Sequence, residues 1–365
     1  MINEALLKNE ELAVFGLRSL YSDFGYTQYK MSKFEEYDLY VRNKDFLISD
    51  RVITFTDTNG KLLALKPDVT LSIITNLGKS IEGIHKMYYN ENVYRVSGAT
   101  GRFKEIMQTG LECIGDIGIY ETAEVLYLAI KSLALTDGNF RLEVAHASLL
   151  TELLMSNGIA KEALSEVLEA VKIKSSGLTE ALLKADKINA CQAELISVLC
   201  RNFPDFSSFT SAVAPFVKEG ECSRLFGEFG DIVNSCTNEA ANGKININFS
   251  LASDAGYYSG IVFKGFINGI PQSVLSGGQY DKLMKKLGSK GGAVGFAVYL
   301  DSFERFGEKA EEYDIDTVLL IKESDSPADI LKAAEKIRST GESVCVVKAV
   351  PTDLRYRRVL LAEGV

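Results

Sequence analysis

Tryptophan is absent from the 365-residue sequence, and histidine occurs only twice. The six cysteines, at positions 113, 191, 200, 222, 236 and 345, are scattered without a C-x-x-C pair. Because zinc sites draw mainly on cysteine and histidine, we expect no metal site. Scattered cysteines also favour a reducing compartment, so we expect a cytoplasmic protein.

Long hydrophobic runs are also lacking. No apolar run approaches the ~18 residues that a membrane span requires. The first residues, MINEALLKNEELAVFG, are acidic and amphipathic, unlike a secretory signal, so we predict a helix over residues 1–20 and no membrane association. The formal net charge of −9 argues against a broad phosphate-binding surface, so nucleic acid is not an expected partner.

The patterns that are present change along the chain. Strand and turn signals dominate residues 21–118, with a Thr-Asn-Gly turn in VITFTDTNGKLLAL. A strongly periodic helix is predicted over 120–135 and a strand over 141–146. Residues 147–240 contain only short amphipathic helices, which indicates a helical insertion.

Strand signals return after the insertion, and the acidic stretch GEKAEEYDID then precedes a β-α-β pattern with a short basic tail. The length predicts one large domain with one or two smaller ones. We therefore predict an α+β chain with a domain over residues 1–310, which contains the insertion (about 147–240), and a small α/β unit over residues 314–365.

The stretch ENVYRVSGATGRFKEIMQTGLECIG (residues 91–115) alternates as two strands around a glycine-containing loop, which predicts a β-hairpin. Gln108 and Glu112 are four residues apart, so both side chains point to one face of the second strand. Gly110 between them leaves room for a small ligand, to which Glu112 offers charge for an ammonium group and Gln108 a donor and an acceptor. The alternative is a solvated polar face, although the apolar neighbours of Glu112 favour burial and hence a partner.

A second candidate stretch, LALKPDVT (residues 63–70), ends a predicted strand in Lys-Pro-Asp. Pro67 removes an amide donor and fixes φ, so we expect Asp68 and Thr70 to be exposed at the strand end. The alternative is an ordinary edge-strand terminus.

Two further stretches carry tyrosines. SDAGYYSGIVFKGF (253–266) places Tyr257 and Tyr258 before a Ser-Gly turn, although such aromatic pairs commonly belong to the core. LSGGQYDKL (275–283), which contains Tyr280, predicts a helix that begins after paired glycines, whose amides suit an anion or carboxylate. Two adjacent glycines alone are a weak signal for such a site.

Taken in order, these stretches resemble a known family. The series K-P-D-V-T, Y-R…G-R-F-K-E-I-M-Q-T-G-L-E, a helical insertion, Y-Y-S-G-I-V-F, S-G-G-Q-Y-D-K-L and G-G-A-V-G-F-A resembles the catalytic domain of histidyl-tRNA synthetases over roughly residues 5–305. It resembles still more closely their paralogues, the regulatory subunits of ATP phosphoribosyltransferase in histidine biosynthesis. The resemblance implies a class II aminoacyl-tRNA synthetase-like fold, a mostly antiparallel sheet flanked by helices, that is usually dimeric.

Departures from the synthetase pattern favour the second branch. Where the synthetases have R-P-E-G-T this chain has K-P-D-V-T, the form that the regulatory subunits resemble. Ser253 stands where the resemblance places an arginine that bridges the histidine carboxylate and the ATP α-phosphate, and Asp301-Ser302 stand where Glu-Arg belongs. Ser97 replaces the carboxylate of F-R-x-E. Each such lost donor costs roughly a hundred- to a thousand-fold in rate, so adenylation is not expected.

The C-terminal part points the same way. Synthetases of this family carry an anticodon-reading domain, typically a full five-stranded α/β unit. Residues 314–365 offer a single β-α-β pattern with a tail that contains Arg355, Arg357 and Arg358. With the acidic net charge, this disfavours tRNA recognition.

The resemblance therefore implies a non-catalytic regulatory subunit required for the first step of histidine biosynthesis and its feedback inhibition. It would form a homodimer within a hetero-oligomer with the short-form catalytic ATP phosphoribosyltransferase, with L-histidine as effector and without cofactor or metal. The implied histidine-binding residues are Asp68, Thr70, Arg95, Gln108, Glu112, Tyr257, Tyr258 and Tyr280. A divergent histidyl-tRNA synthetase and an amino-acid-binding pseudo-synthetase in signalling remain alternatives.

Overall fold

The structure, a computed structural model, describes residues 9–43, 52–78, 81–96, 100–136, 138–237, 243–253, 258–302 and 313–362. The chain divides into two compact units, Met1–Phe306 and Gly307–Val365. Within the described ranges, no helix is long and apolar enough to cross a membrane. The same ranges contain no group of three or more histidine, cysteine, aspartate or glutamate side chains that could hold a metal ion.

Helices and strands are interspersed along the chain. The helices are α1 (Asn9–Asp23), α2 (Tyr37–Arg42), α3 (Val69–Leu77), α4 (Ile119–Thr136), α5 (Ala147–Ser156), α6 (Lys161–Lys172), α7 (Ser176–Lys184), α8 (Ala190–Leu199), α9 (Phe206–Val213), α10 (Glu221–Ser235), α11 (Asp281–Lys286) and α12 (Pro327–Arg338). The strands are β1 (Thr27–Gln28), β2 (Phe34–Glu36), β3 (Thr54–Thr56), β4 (Leu62–Leu65), β5 (Ile84–Val96), β6 (Phe103–Gly115), β7 (Phe140–His146), β8 (Asn202–Phe203), β9 (Ile245–Asn248), β10 (Ile261–Ile267), β11 (Leu275–Gln279), β12 (Gly292–Tyr299), β13 (Ile315–Leu320), β14 (Val344–Val347) and β15 (Tyr356–Leu361). Short 3-10 helices cover Ala214–Phe216, Phe249–Ser253 and Leu300–Ser302.

The larger unit is built on one nine-stranded sheet, in the order β1-β5-β6-β12-β11-β10-β7-β9-β8. Neighbouring strands are antiparallel except for the pairs β1–β5 and β7–β9, which are parallel. Helices α1 and α4 pack against this sheet. The predicted mostly antiparallel sheet with flanking helices is therefore confirmed.

The predicted hairpin is present as β5 and β6, which pair over their whole length. Among the described strands, β12 pairs with β6 only from Gln108 to Gly115. The distal half of the hairpin therefore extends beyond the sheet as a two-stranded arm. Arg95 lies on this arm, Gln108 lies where the arm joins the sheet, and Glu112 lies within the sheet.

One face of the sheet is covered by α1 and α4, whose inward side chains Leu17, Leu126 and Leu133 are buried. Gly265 of β10 permits the close approach, since a Cβ there would meet Leu133 at 2.7 Å. The periodic segment 120–135 thus forms a helix because its apolar face covers the sheet, as predicted.

The opposite face carries α3 and a small antiparallel sheet in the order β2-β4-β3. Side chains of α3 pack in one buried cluster with Met87 and Tyr89 of β5 and Ile114 of β6. The predicted turn joins β3 to β4, with Gly60 at φ +80°, a backbone conformation that glycine adopts without strain. This layer brings the start of α3 to the face that carries Gln108 and Glu112.

The prediction that Asp68 and Thr70 are exposed at a strand end is wrong, and Thr70 lies half-buried within α3. β4 ends at Leu65, and Asp68 caps the N-terminus of α3 with 7% of its surface exposed. Its Oδ1 accepts a hydrogen bond from the backbone N–H of Leu71 at 2.9 Å, which is the role that favours aspartate at this position. Pro67 therefore precedes a buried helix start.

A helix does follow the paired glycines, as predicted, but the glycines do not lie at its start. Gly277 and Gly278 lie inside β11, and α11 begins at Asp281. A Cβ at Gly278 would lie 2.6 Å from the carbonyl oxygen of Ile261 and from the ring of Tyr258. The glycines therefore allow close packing within the sheet and do not form an anion site.

In the smaller unit, β13, β14 and β15 form a parallel sheet in the order β14-β13-β15. The expected basic tail is wrong at this point, because Tyr356–Leu361 form β15. Two arginines of this C-terminal stretch form ion pairs. The Nη2 atom of Arg355 lies 2.6 Å from Oδ1 of Asp314, and that of Arg358 lies 2.6 Å from Oε2 of Glu342.

Candidate functional site

The sheet face beneath α3 has a floor of mostly small residues. Side chains at alternate positions of a strand share a face, as do residues directly opposite each other in antiparallel strands. From β6 across β12 to β11, the floor consists of Gln108, Gly110, Glu112, Tyr299, Ala297, Gly295, Ser276 and Gly278. Because glycine, alanine and serine have short side chains or none, larger side chains from other elements can approach the backbone of this part of the sheet.

Glu112 lies at the centre of this face with 2% of its surface exposed. The hydroxyl of Thr70 donates to its Oε1 at 2.6 Å, and the hydroxyl of Tyr280 donates to its Oε2. Gly295 lies directly opposite and leaves the space, because a Cβ there would collide with Oε2. Three predicted site residues, Thr70, Glu112 and Tyr280, are therefore brought into direct contact.

The surroundings of Glu112 disfavour the ionised form of its carboxyl group. Burial raises its pKa to about 8, and the negative charge of Asp68 adds to this shift, whereas the hydrogen bonds from Thr70 and Tyr280 oppose it. Both hydrogen-bond donors are neutral hydroxyls, so they satisfy the oxygens without neutralising a charge. A cation brought beside Glu112 would stabilise the ionised form.

Gly110 does not leave the room that the sequence pattern predicts. Tyr89 lies directly across on β5, and a Cβ at Gly110 would lie 2.5 Å from the Tyr89 hydroxyl. Tyr89 is 2% exposed. The glycine therefore accommodates this buried ring, and the expectation of ligand space above Gly110 is wrong.

Gln108, the neighbour of Gly110 on the same face, carries an unsatisfied donor. It is 3% exposed, and its Nε2 is buried without a hydrogen-bond partner among the described residues. A buried donor without an acceptor costs about 1–3 kcal/mol. The site therefore offers a hydrogen bond to a ligand acceptor on the face that also carries Glu112.

Arg95 connects the arm to the start of α3. Its Nε donates to the carbonyl oxygen of Pro67 at 2.9 Å. Burial raises the pKa of Asp68, and the nearby Arg95 guanidinium, together with the backbone amides of Leu71 and Thr70, opposes that shift. Arg95 and Asp68, both predicted site residues, are thus electrostatically coupled.

Tyr258 lies over Gly278, and its hydroxyl interacts with Ser276. Burial raises its pKa. Tyr299 interacts with the same serine and with Arg95. Tyr257, the remaining predicted residue, lies outside the described residues.

The two lysines at the arm end of the site are each paired with a carboxylate. Lys66, whose side chain is fully buried, lies 3.0 Å from Glu91. Lys104 forms an ion pair with Asp301. The charge of these lysines is therefore balanced within the chain.

Sequence reasoning missed Tyr89 and Tyr299. Side-chain alternation could have placed each tyrosine on a strand face. Tyr89 is two residues from Glu91, and Tyr299 is two residues from Ala297, so each shares a face with that neighbour. Their relation to Gln108 and Gly110 depends on strand register, which joins segments far apart in sequence. Asp301 was noted only as a departure, and its pairing with Lys104 was not expected.

A mostly antiparallel sheet flanked by helices, with a polar and partly buried face beneath a capped helix start, is the architecture of a class II aminoacyl-tRNA synthetase-like domain. A sequence model of the family described as Histidyl-tRNA synthetase matches residues 3–303. The chain belongs to this family.

Individual relatives of this chain carry the name of the regulatory-subunit branch of the family. An ATP phosphoribosyltransferase regulatory subunit from Clostridium novyi is 28% identical over 294 residues, covering 78% of this chain and 69% of that protein. A solved structure described as an ATP phosphoribosyltransferase regulatory subunit/histidyl-tRNA synthetase from Bacillus halodurans has a TM-score of 0.77 at 22% identity, covering 97% of this chain and 93% of the other. A chain of an ATP phosphoribosyl transferase (HisG:HisZ) complex from Thermotoga maritima has a TM-score of 0.62 at 19% identity, covering 80% and 97%. The predicted resemblance is confirmed.

Proposed function

We propose that this protein is a regulatory subunit of ATP phosphoribosyltransferase without catalysis of its own, and that it binds L-histidine. The curated relatives that bear the regulatory-subunit name support the assignment to this branch. The protein would act in the first step of histidine biosynthesis and make that step sensitive to its end product.

The observation that carries the ligand-binding proposal is the unsatisfied Nε2 of Gln108 on the same strand face as the buried Glu112. A free amino acid supplies both an acceptor for the amide and a cation for the carboxylate. We place the ammonium group at Glu112, with Gln108 as a hydrogen-bond donor and Asp68 and Thr70 as the opposing wall. Tyr258 would contact the imidazole ring, and Arg95 the carboxylate.

The arm end supports the absence of catalysis. Adenylation concentrates negative charge on a phosphorus atom, which requires fixed cations that are available to the phosphate. Lys66 and Lys104 are each paired with a carboxylate of this chain. The two arginines that the family resemblance places at this end are replaced by Ser253 and Ser302.

Regulation by histidine requires unequal binding to two states of the assembly, since a ligand without such a preference shifts no equilibrium. We propose that a homodimer of this chain assembles with the short catalytic subunit and that histidine favours the less active arrangement. A hydrogen bond to a charged group is worth about 1.5–3 kcal/mol, which suffices for about a tenfold or greater preference.

The test mixes the purified protein with a short-form catalytic ATP phosphoribosyltransferase. We expect the two proteins to co-elute in size-exclusion chromatography at micromolar concentration. We also expect the mixture to form phosphoribosyl-ATP faster than the catalytic chain alone, and histidine to suppress that gain. Separate elution at every concentration would overturn the assignment.

The alternative, a divergent histidyl-tRNA synthetase, predicts histidine-dependent ATP–pyrophosphate exchange by this chain alone. We expect exchange at background, since two missing donors at roughly a hundred- to a thousand-fold each leave no useful rate. Exchange above background would favour the synthetase. Histidine binding with neither exchange nor co-elution would favour a free-standing amino-acid-binding protein.

A further inference from the structure

We propose that Tyr299 is a size-determining residue that closes the arm end of the site and thereby excludes phosphate-bearing ligands. The proposal rests on the proposed function for the identity of the amino acid, but not for the closure itself. It assigns a role to a residue that the sequence patterns did not single out.

Tyr299 is the large residue among the small floor positions of β12. Along β12 the floor positions are Gly295, Ala297 and Tyr299, so the space above the sheet narrows towards the arm. Tyr299 lies directly opposite Gln108, at the point where the hairpin leaves the sheet. A ligand that reaches from Glu112 past Gln108 would meet this ring.

The contacts of Tyr299 place its hydroxyl towards Arg95. Burial raises the pKa of the phenol, and the guanidinium of Arg95 opposes that shift, as does a hydrogen bond with Ser276. The side chain is half-buried, so the ring is partly shielded from solvent. Arg95 therefore lies between Tyr299, Asp68 and the carbonyl oxygen of Pro67.

This arrangement limits the length of the ligand. Gln108 and Glu112 are four residues apart on one strand, a span of about 13 Å at about 3.3 Å per residue. A single amino acid is shorter than this span, whereas an aminoacyl-adenylate is longer than it. A phosphate is bound most strongly by a guanidinium that can present two parallel N–H groups, and the Tyr299 ring stands beside the guanidinium of Arg95.

The test measures two ligands separately by isothermal titration, namely AMP and L-histidine, with the wild-type protein, Tyr299→Ala and Tyr299→Phe. Phenylalanine keeps the ring and removes only the hydroxyl, so it is the matched control. We expect AMP to bind Tyr299→Ala at least about tenfold more tightly than either protein that keeps the ring. Tyr299→Val provides the same opening with a residue suited to a strand, should the alanine variant be unstable.

Arg95→Met, added to Tyr299→Ala, should abolish the gain in AMP affinity if the opened space leads to the guanidinium. Equal AMP affinity in Tyr299→Ala and Tyr299→Phe, or a gain that survives Arg95→Met, would overturn the proposal. The histidine titration reports on the other question. If histidine fails to bind the wild-type protein while AMP binds only the ring-deleted variants, the closure stands and the histidine assignment fails.

Discussion

The site has a sheet end, at Glu112, and an arm end, at Lys66 and Lys104, and the two ends differ in whether their ionisable groups have charged partners. At the sheet end, the buried oxygens of Glu112 accept, among the described residues, only from the hydroxyls of Thr70 and Tyr280. A cation would therefore add charge compensation that these partners do not give. At the arm end, Lys66 and Lys104 already have carboxylate partners. The comparison teaches that one sheet face can combine a buried carboxyl group held by neutral donors with lysines whose charge is already compensated within the chain.

The largest expected effect comes from removing the charge at the sheet end. Glu112→Gln keeps the size and polarity of the side chain but cannot ionise. We expect histidine affinity to fall at least about tenfold, because a hydrogen bond to a charged group is worth about 1.5–3 kcal/mol. Isothermal titration measures the change, and the melting temperature shows that the variant is folded.

Glu143→Gln is the matched control for this experiment. Glu143 is 7% exposed and accepts a hydrogen bond from Asn248 at 2.8 Å, but it lies on β7, which β12, β11 and β10 separate from β6. Its replacement should leave histidine binding unchanged. Equal losses in the two variants, or no loss in Glu112→Gln, would place the ligand elsewhere.

The pH dependence of binding sharpens the same comparison. The pKa of Glu112 is raised by burial to about 8, so at pH 7 the ligand-free carboxyl is mostly protonated. Histidine largely keeps its ammonium charge from pH 7 to 8.5, so its affinity should rise about fivefold to tenfold over this range and fall at higher pH as the ammonium group deprotonates. Binding at pH 7 should release about one proton, measured by titration in buffers of different ionisation enthalpy.

The free energy of unfolding should change with pH in the opposite direction to the histidine affinity. A carboxyl group whose pKa is raised in the folded state stabilises the fold at low pH, and that contribution is lost as pH rises from about 4.5 to about 8. Glu112→Gln should remove both the proton release and this part of the stability profile. Proton release that persists in the variant would assign the linkage to another group.

Some features of the site could be predicted from the sequence because they depend on neighbouring residues alone, and others could not because they depend on distant ones. Glu112 and Gln108 could be placed on one face because side-chain alternation is local to a strand. The apolar neighbours of Glu112 also favour the burial of that residue, whereas the sequence leaves a solvated polar face open as the alternative and makes no such case for Gln108. The filling of Gly110 by Tyr89 could not be predicted, because it depends on the register between two strands.

Asp68 shows a different limit. The K-P-D-V-T motif was recognised, but Pro67 was interpreted as ending a strand in solvent. Aspartate followed by an apolar run is also a helix-start signal, and the structure has that arrangement, with the cap buried beneath α3. The same residues are compatible with both interpretations, and tertiary packing of α3 against Tyr89 and Ile114 decides between them.

A moderate effect is expected at Gln108. Gln108→Met removes the buried donor that lacks a partner and keeps a similar volume. The ligand-free protein should become more stable by about 1 kcal/mol, while histidine affinity falls several-fold because the hydrogen bond to the ligand is lost. Thermal unfolding and titration together give the answer, and stability and affinity that fall together would indicate a purely structural role.

The smallest effect is expected at the exposed part of the arm end. Asp301→Asn breaks the ion pair with Lys104, whose side chain is 53% exposed, so the free energy of unfolding should change by less than about 1 kcal/mol and histidine affinity should not change. Glu91→Gln is the informative comparison, because it leaves the fully buried Lys66 without its carboxylate and should cost about 3 kcal/mol or more. Urea unfolding measures both variants. If Asp301→Asn instead weakens histidine binding as much as Glu112→Gln does, the arm end takes part in recognition, and the division of the site into a binding end and a neutralised end is incorrect.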